Sequence, residues 1–402
     1  MRIRRRFVPF ALALAAVAGL GATALLPARV AQVARVVEQV RGRRFERPVP
    51  ASEIGPEELK RVLKSKVAES FPASPDETLR TLVAFGLIDE TPKLLEKLVD
   101  FYASQVIAFY DPEPRRFYVV RGIEKTLEKE GGQAAGMGGM AERLIFAHEL
   151  THALQDENLK LDRRMKELKD NGDRGLALEC LLEGEATVVM VRVAMADLPG
   201  ADETAEQMLE PLLSAGALEC GDVPKDLPDY FVEQLFFPYV EGTAYVRRAL
   251  KKGGWAQVDR AWKRPPLSTS EILHEKADFV PASDLLPPDA AALAPAGFRL
   301  LYTDTIGEWS VRYLLRRSLD TEVADEAASG WRGDRIAFYT SGSAVAYLWR
   351  VTLESPGAAE RLEAAWKKAR KKKEIVTRKG RDLLVASGFE KLPEMPGLKT
   401  GN

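Results

Sequence analysis

With 402 residues, 46% of them hydrophobic, and a formal net charge of −1, the chain can bury more than one core. It lacks the concentrated basic surface that nucleic-acid binding requires. Two cysteines, Cys180 and Cys220, are too few for a disulfide scaffold; they either pair in an oxidising compartment or leave Cys180, in an apolar stretch, as a buried thiol.

The chain opens Met1-Arg2-Ile3-Arg4-Arg5-Arg6 and then runs uncharged from Phe7 to Leu26. A basic end ahead of an apolar stretch reads, over residues 1–27, as an export signal or, if uncut, as a single-pass membrane anchor. Either reading places the body outside the cytoplasm: periplasmic, secreted, or anchored facing outwards. Residues 28–50 are basic, end in Pro48-Val49-Pro50 and read as a tether. Helical periodicity covers 57–70, 78–85 and 91–102. β-Branched and aromatic runs follow at 105–110 and 116–120, joined by Asp111-Pro112-Glu113-Pro114-Arg115, which is a hairpin signature. A Gly-rich stretch at 131–139 leads into a helix over 140–157.

A charged connector at 160–174 precedes a long apolar helix over 176–196. Further helical patterns cover 204–214 and 236–251, the latter closed by Gly253-Gly254. Residues 281–297, rich in Pro, Ala and Asp, read as a linker. Beyond it, helices at 306–317 and 358–372 and strands at 335–340, 344–353, 374–378 and 382–386 predict a small α+β domain over 298–402. The Lys-rich run at 367–373 reads as a solvated helix end. The expected fold class is α+β, with a mainly helical domain over 51–280 ahead of the smaller one.

The chemistry concentrates in a few residues. The chain has three histidines, and two stand in His148-Glu149-Leu150-Thr151-His152. Positions i and i+4 lie one above the other on a helix, so two imidazoles can meet one tetrahedral cation. Glu149 between them can take a proton from a water at the open coordination position. A catalytic zinc needs a third protein ligand. A downstream histidine is excluded, because Gln155 and Asn158 occupy the positions where a glycine and a histidine would be required. A glutamate from a second helix remains, and Leu181-Leu182-Glu183-Gly184-Glu185-Ala186 offers two. Glu183 and Glu185 point about 200° apart, so one of them faces the metal. Gly184 lets helices approach closely. Glu179, four residues before Glu183, is a candidate acceptor for a ligand imidazole. His274 is the candidate for holding charge on the attacked oxygen, with Tyr239 and Tyr245 as competing donors.

These blocks resemble a family of largely uncharacterised exported proteins with a gluzincin-type, thermolysin-like metallopeptidase core. The resemblance rests on Phe109-Tyr110-Asp111-Pro112, on Ala147 to Asp156 around the histidine pair, and on Leu182-Glu183-Gly184-Glu185-Ala186. It continues through Gly253-Gly254-Trp255, Pro265-Pro266, Ser268-Thr269, Ile272-Leu273-His274 and Gly330-Trp331-Arg332-Gly333-Asp334-Arg335. The family's usual Ser-Thr-Glu-Gln-Ile-Leu-His-Pro departs here to Ser270, Glu271 and Glu275, with the histidine kept. In thermolysin-like aminopeptidases the glutamate before the glycine binds zinc, which carries over to Glu183. The resemblance implies a zincin-like core over 51–280, with Zn2+ on His148, His152 and Glu183 and with Glu149 and His274 catalytic. The expected activity is hydrolysis of peptide or protein substrates. The alternative is a non-catalytic binding or adaptor protein of the cell envelope on the same scaffold.

Overall fold

The computed structural model describes residues 26–122, 138–168, 170–214, 223–275, 279–287, 289–370 and 373–393. The stretch read as a signal or anchor, apart from its last two residues, the Gly-rich stretch up to 137 and Cys220 lie outside these. Among the described residues no helix is long and apolar enough to cross a membrane.

The chain is mixed α+β, as the sequence pattern implies. The segment read as a tether is instead helix α1 (Leu26–Arg41). Val30, Val33 and Val37 recur at helical spacing and are buried, and Arg41 is buried with them, so the abundant arginines had masked an amphipathic stripe. Strand β1 (Ala51–Ile54), unforeseen in the sequence, runs parallel to β3 (Arg116–Val120). The expected hairpin pairs β3 with β2 (Ala108–Asp111), and Arg115 takes a left-handed conformation in its turn. The order β1-β3-β2 leaves β2 at the edge. Against this sheet pack α2 (Pro56–Ser70) and α4 (Leu94–Gln105), while α3 (Pro75–Phe85), between them in the chain, turns to the C-terminal part. Helix α3 opens with a Ser74/Glu77 capping box and closes on Gly86 at φ 91°.

Two long helices form the centre. Helix α5 (Gly138–Leu159) carries the histidine pair, and after α6 (Leu161–Glu167) helix α7 (Gly172–Met195) carries Glu183 and is buried on nearly every side. Helix α8 (Ala201–Ser214) precedes α9 (Asp229–Lys263), whose helical geometry breaks at Gly253-Gly254, where the sequence pattern stops. A short α10 (Thr269–Leu273) follows.

The C-terminal part is a five-stranded antiparallel sheet in the order β4-β5-β6-β8-β7. Its strands are β4 (Arg299–Asp304), β5 (Trp331–Ser341), β6 (Ala344–Leu353), β7 (Ile375–Lys379) and β8 (Asp382–Ser387). Helices α11 (Gly307–Arg316), α12 (Thr321–Ala328) and α13 (Pro356–Ala369) complete it. The stretch read as a linker is laid along this sheet rather than free: Ala282 N–H donates to the Arg332 carbonyl at 2.7 Å, and Ala290 is buried.

One hydrophobic core crosses from the helical part into the C-terminal sheet. Phe85 of α3 inserts its ring among Tyr347, Trp349 and Trp366, with centroids 5.3, 5.7 and 5.7 Å away. A polar clamp locks the same junction. Asp334 accepts bonds from the Ile306 and Gly307 amides and from the Trp331 indole, at 2.7, 2.8 and 2.7 Å. Asp173, at the start of α7, accepts from the Thr269 amide at 3.0 Å and from its hydroxyl. Gly307 sits at φ 80°, and a Cβ there would lie 2.0 Å from the Asp173 carboxylate. Thus Ser268-Thr269 and Trp331 to Arg335 fasten the sheet to the root of α7.

Candidate metal centre

Helix α5 stacks His148 above His152, and the crossing of α7 by α9 sets what faces them. At that crossing the backbones touch. A Cβ on Gly184 would stand 2.1 Å from the Gly242 carbonyl group, and one on Gly242 would stand 2.1 Å from the Cys180 carbonyl oxygen. Gly184 therefore serves α9 rather than α5. Pro238, one residue before Tyr239, removes a helical N–H from α9 at this level.

Glu183 Oε2 lies 3.0 Å from His148 Nε2 and 3.4 Å from His152 Nε2, and the two Nε2 atoms are 3.1 Å apart. A tetrahedral cation with zinc-like bonds spaces its ligand atoms by about 3.3 Å, so this triangle has the right size. His152 Nδ1 donates to Gln155 Oε1 at 2.9 Å, which fixes the ring with its Nε2 turned toward the triangle. Two imidazole nitrogens and a carboxylate oxygen converge where every residue is at most 4% exposed. Such a donor set calls for a positive charge, and a divalent cation fits it.

The geometry separates the two glutamates. Glu185 points away, fully buried, and is held by Arg41, by Trp262 Nε1 at 2.7 Å and by Gln155 Nε2 at 2.9 Å. Gln155 also donates to the Leu182 carbonyl at 3.0 Å. A chain of contacts thus runs from Arg41 through Glu185 and Gln155 to His152. Sequence reasoning had used Gln155 only to exclude a third histidine; its place three residues after His152 was the overlooked signal.

Glu149 is fully buried beside the pair. Its Oε2 accepts the Tyr110 amide of edge strand β2 at 2.7 Å, and its Oε1 has no hydrogen-bond partner. Burial pushes its carboxyl up to about 8, against the opposing pull of His152. Burial likewise lowers His148. For His152 burial pulls the imidazole down, but the Glu183 charge and hydrogen bond, with Glu149 and Gln155, together outweigh it and lift it to about 9, and the histidines in turn hold Glu183 near 2 despite its burial. Without a metal, the triangle is neutral overall only with one proton on it.

Tyr239, not His274, stands at this group. Its ring lies parallel to His148 with centroids 5.8 Å apart, and its buried hydroxyl has no hydrogen-bond partner. Burial, reinforced by the charges of Glu183 and Glu149, drives that hydroxyl well above the usual phenol range and keeps it a proton donor. His274 belongs to the clamp: its Nε2 is 2.7 Å from buried Glu308 Oε1 and 3.2 Å from Arg312 Nη2 of α11. The carboxylate that the sequence pattern lacked near this histidine comes from another helix. Glu271 pairs with Arg264 at 2.8 Å and accepts the Leu267 amide at 2.9 Å, and Tyr245 packs in the apolar clusters. Glu179 lines a cavity with Glu183 and Tyr239.

A family model described as a domain of unknown function, DUF8575, matches residues 299–390, the span of the five-stranded sheet. No curated protein and no solved structure matches the chain.

Proposed function

We propose that this chain is a zinc-dependent peptide-bond hydrolase acting outside the cytoplasm on peptide or protein substrates. The carrying observation is the convergence of His148, His152 and Glu183 beside a buried carboxylate, Glu149, with one oxygen unspent. Zinc, when bound, would polarise the scissile carbonyl and acidify a water. Glu149 Oε1 takes the proton of the attacking water, while the Tyr110 amide holds the other oxygen in place. The same carboxyl then delivers that proton to the departing amine. The Tyr239 hydroxyl donates to the oxygen that gains charge as the carbonyl carbon becomes tetrahedral. A purely structural metal has no use for a buried carboxylate kept unpaired, which weighs against the adaptor reading.

The test is Glu149→Gln in the full chain, loaded with zinc. Peptide-library cleavage should fall at least about 100-fold, with zinc stoichiometry unchanged. Cleavage that persists at the wild-type rate would overturn the proposal.

A further inference from the structure

A cavity of about 290 Å3 reaches Glu183 and Tyr239 on one side and the C-terminal sheet on the other, where Tyr302, Ile306, Ser310 and Phe338 line it. Its size is at the lower end for a small-molecule or side-chain pocket. Three of its lining residues hold buried polar atoms without a hydrogen-bond partner: Thr78 Oγ1, Asp173 Oδ2 and the Tyr239 hydroxyl, in residues 3, 3 and 4% exposed. Native interiors rarely leave such atoms unspent, and three along one cavity point to an occupant that carries polar groups.

Acidic residues predominate on the walls. Asp173, Glu179, Glu183 and Asp304 line the cavity, while among the described residues the one lining cation, Lys66, is tied to Asp111 at 2.8 Å. Asp304 already accepts the Gly172 and Thr305 amides at 2.7 and 2.8 Å, and Glu183 faces the histidines. Glu179, half-buried, lines the cavity one helical turn before Glu183, which sets a carboxylate beside the histidine group. Tyr102, Tyr230 and Tyr239 also line it.

We infer that this cavity is the substrate pocket and that the C-terminal domain supplies part of its wall. The pocket receives a peptide segment bearing a cationic group, either its α-ammonium or a lysine or arginine side chain, anchored by Glu179. The inference rests on the peptidase reading for its cleavage arm and on binding alone for the other arm.

The experiment uses zinc-loaded full-length protein and a hexapeptide set with free or acetylated N-termini, with and without lysine. Cleavage by wild type is measured, as is calorimetric binding to the Glu149→Gln protein. Glu179→Gln should raise KM or Kd at least tenfold for cationic peptides, leaving neutral ones and zinc content unchanged. Ser310→Phe, filling the cavity from α11, should weaken all peptides at least tenfold; Ile306→Phe, at a partly exposed position, serves if the first variant unfolds. Loss on acetylation assigns the cation to the α-ammonium, and loss on removing lysine assigns it to the side chain. Equal affinity for cationic and neutral peptides, or unaltered binding in Glu179→Gln, overturns the anchor. Unaltered binding in both wall-filling variants overturns the composite pocket. Binding without any cleavage by wild type would sink the hydrolase reading and leave the pocket standing; no binding at all overturns the pocket.

Discussion

Glu149, Tyr239 and His274 have separable fates under substitution, because only the first two touch the histidine pair. Tyr239→Phe removes a hydroxyl that spends no hydrogen bond in the free protein, so folding and zinc content should survive. Its kcat should fall about 100-fold, the usual cost of one donor to a charged oxygen. His274→Gln is the control, since its partners are Glu308 and Arg312, and kcat should stay within about twofold by the same measure. Steady-state kinetics on the two variants decides between them; a collapse of kcat in His274→Gln with intact zinc would return that residue to the site. The histidine pair with Glu149 between was legible in the sequence because helical spacing brings i and i+4 together wherever the helix lies; spacing left Glu183 and Glu185 open, and only the resemblance pointed to Glu183. His274 was not, because sequence order says nothing about which helix lies opposite a short one such as α10.

At the scale of elements, α1 and the crossing of α7 with α9 carry the site. Arg41 is a fully buried cation facing Glu185, stacked 4.5 and 4.6 Å from the rings of Trp255 and Trp262. Arg41→Ala would strand the Glu185 carboxylate, at a cost of about 3–5 kcal/mol. Through Gln155 it should also loosen His152 and weaken zinc about tenfold, within the range known for groups that support a ligand. Denaturant unfolding and a zinc-competition titration measure both; unchanged zinc affinity would detach α1 from the site. Gly184→Ala forces apart two backbones in contact and should cost about 1–3 kcal/mol or more. Most helices were readable to within a few residues from periodicity and caps. Helix α1 escaped because three valines were diluted by arginines, and β1 and β4 escaped because they are short and only partly buried.

For the whole molecule, the junction between helical part and sheet should respond to pH. Burial lifts Asp173 to about 7 and Asp334 to about 6, and the charge of Asp334 contributes to the rise at Asp173. A carboxyl whose folded pKa lies above its unfolded value binds its proton more tightly when folded. Its contribution is complete below about pH 4 and is lost as pH rises towards 7. Asp173→Asn keeps an acceptor for Thr269 and cannot ionise, so Tm of the variant should decline less than wild type between pH 4 and 7. Parallel Tm profiles would show that Asp173 does not titrate on unfolding. The motif blocks at 268–274, where His274 was expected to be catalytic, and at 330–335, which only carried the resemblance, are largely this junction. A sequence pattern marks that residues are constrained, not whether chemistry or packing constrains them.

Phe85 gives the matched domain an unusual standing. The span 299–390 contains the strands and helices of a complete sheet module, yet the ring that fills the space between Tyr347, Trp349 and Trp366 comes from outside it. Cut at its sequence borders, the module would present an aromatic face to water, a surface of the kind that drives self-association. A fragment limited to 299–390 should sediment as oligomers and bind a hydrophobic dye, and a well-behaved monomer would contradict this. In this chain the domain is therefore a socket whose stopper is lent by a helix more than 200 residues upstream.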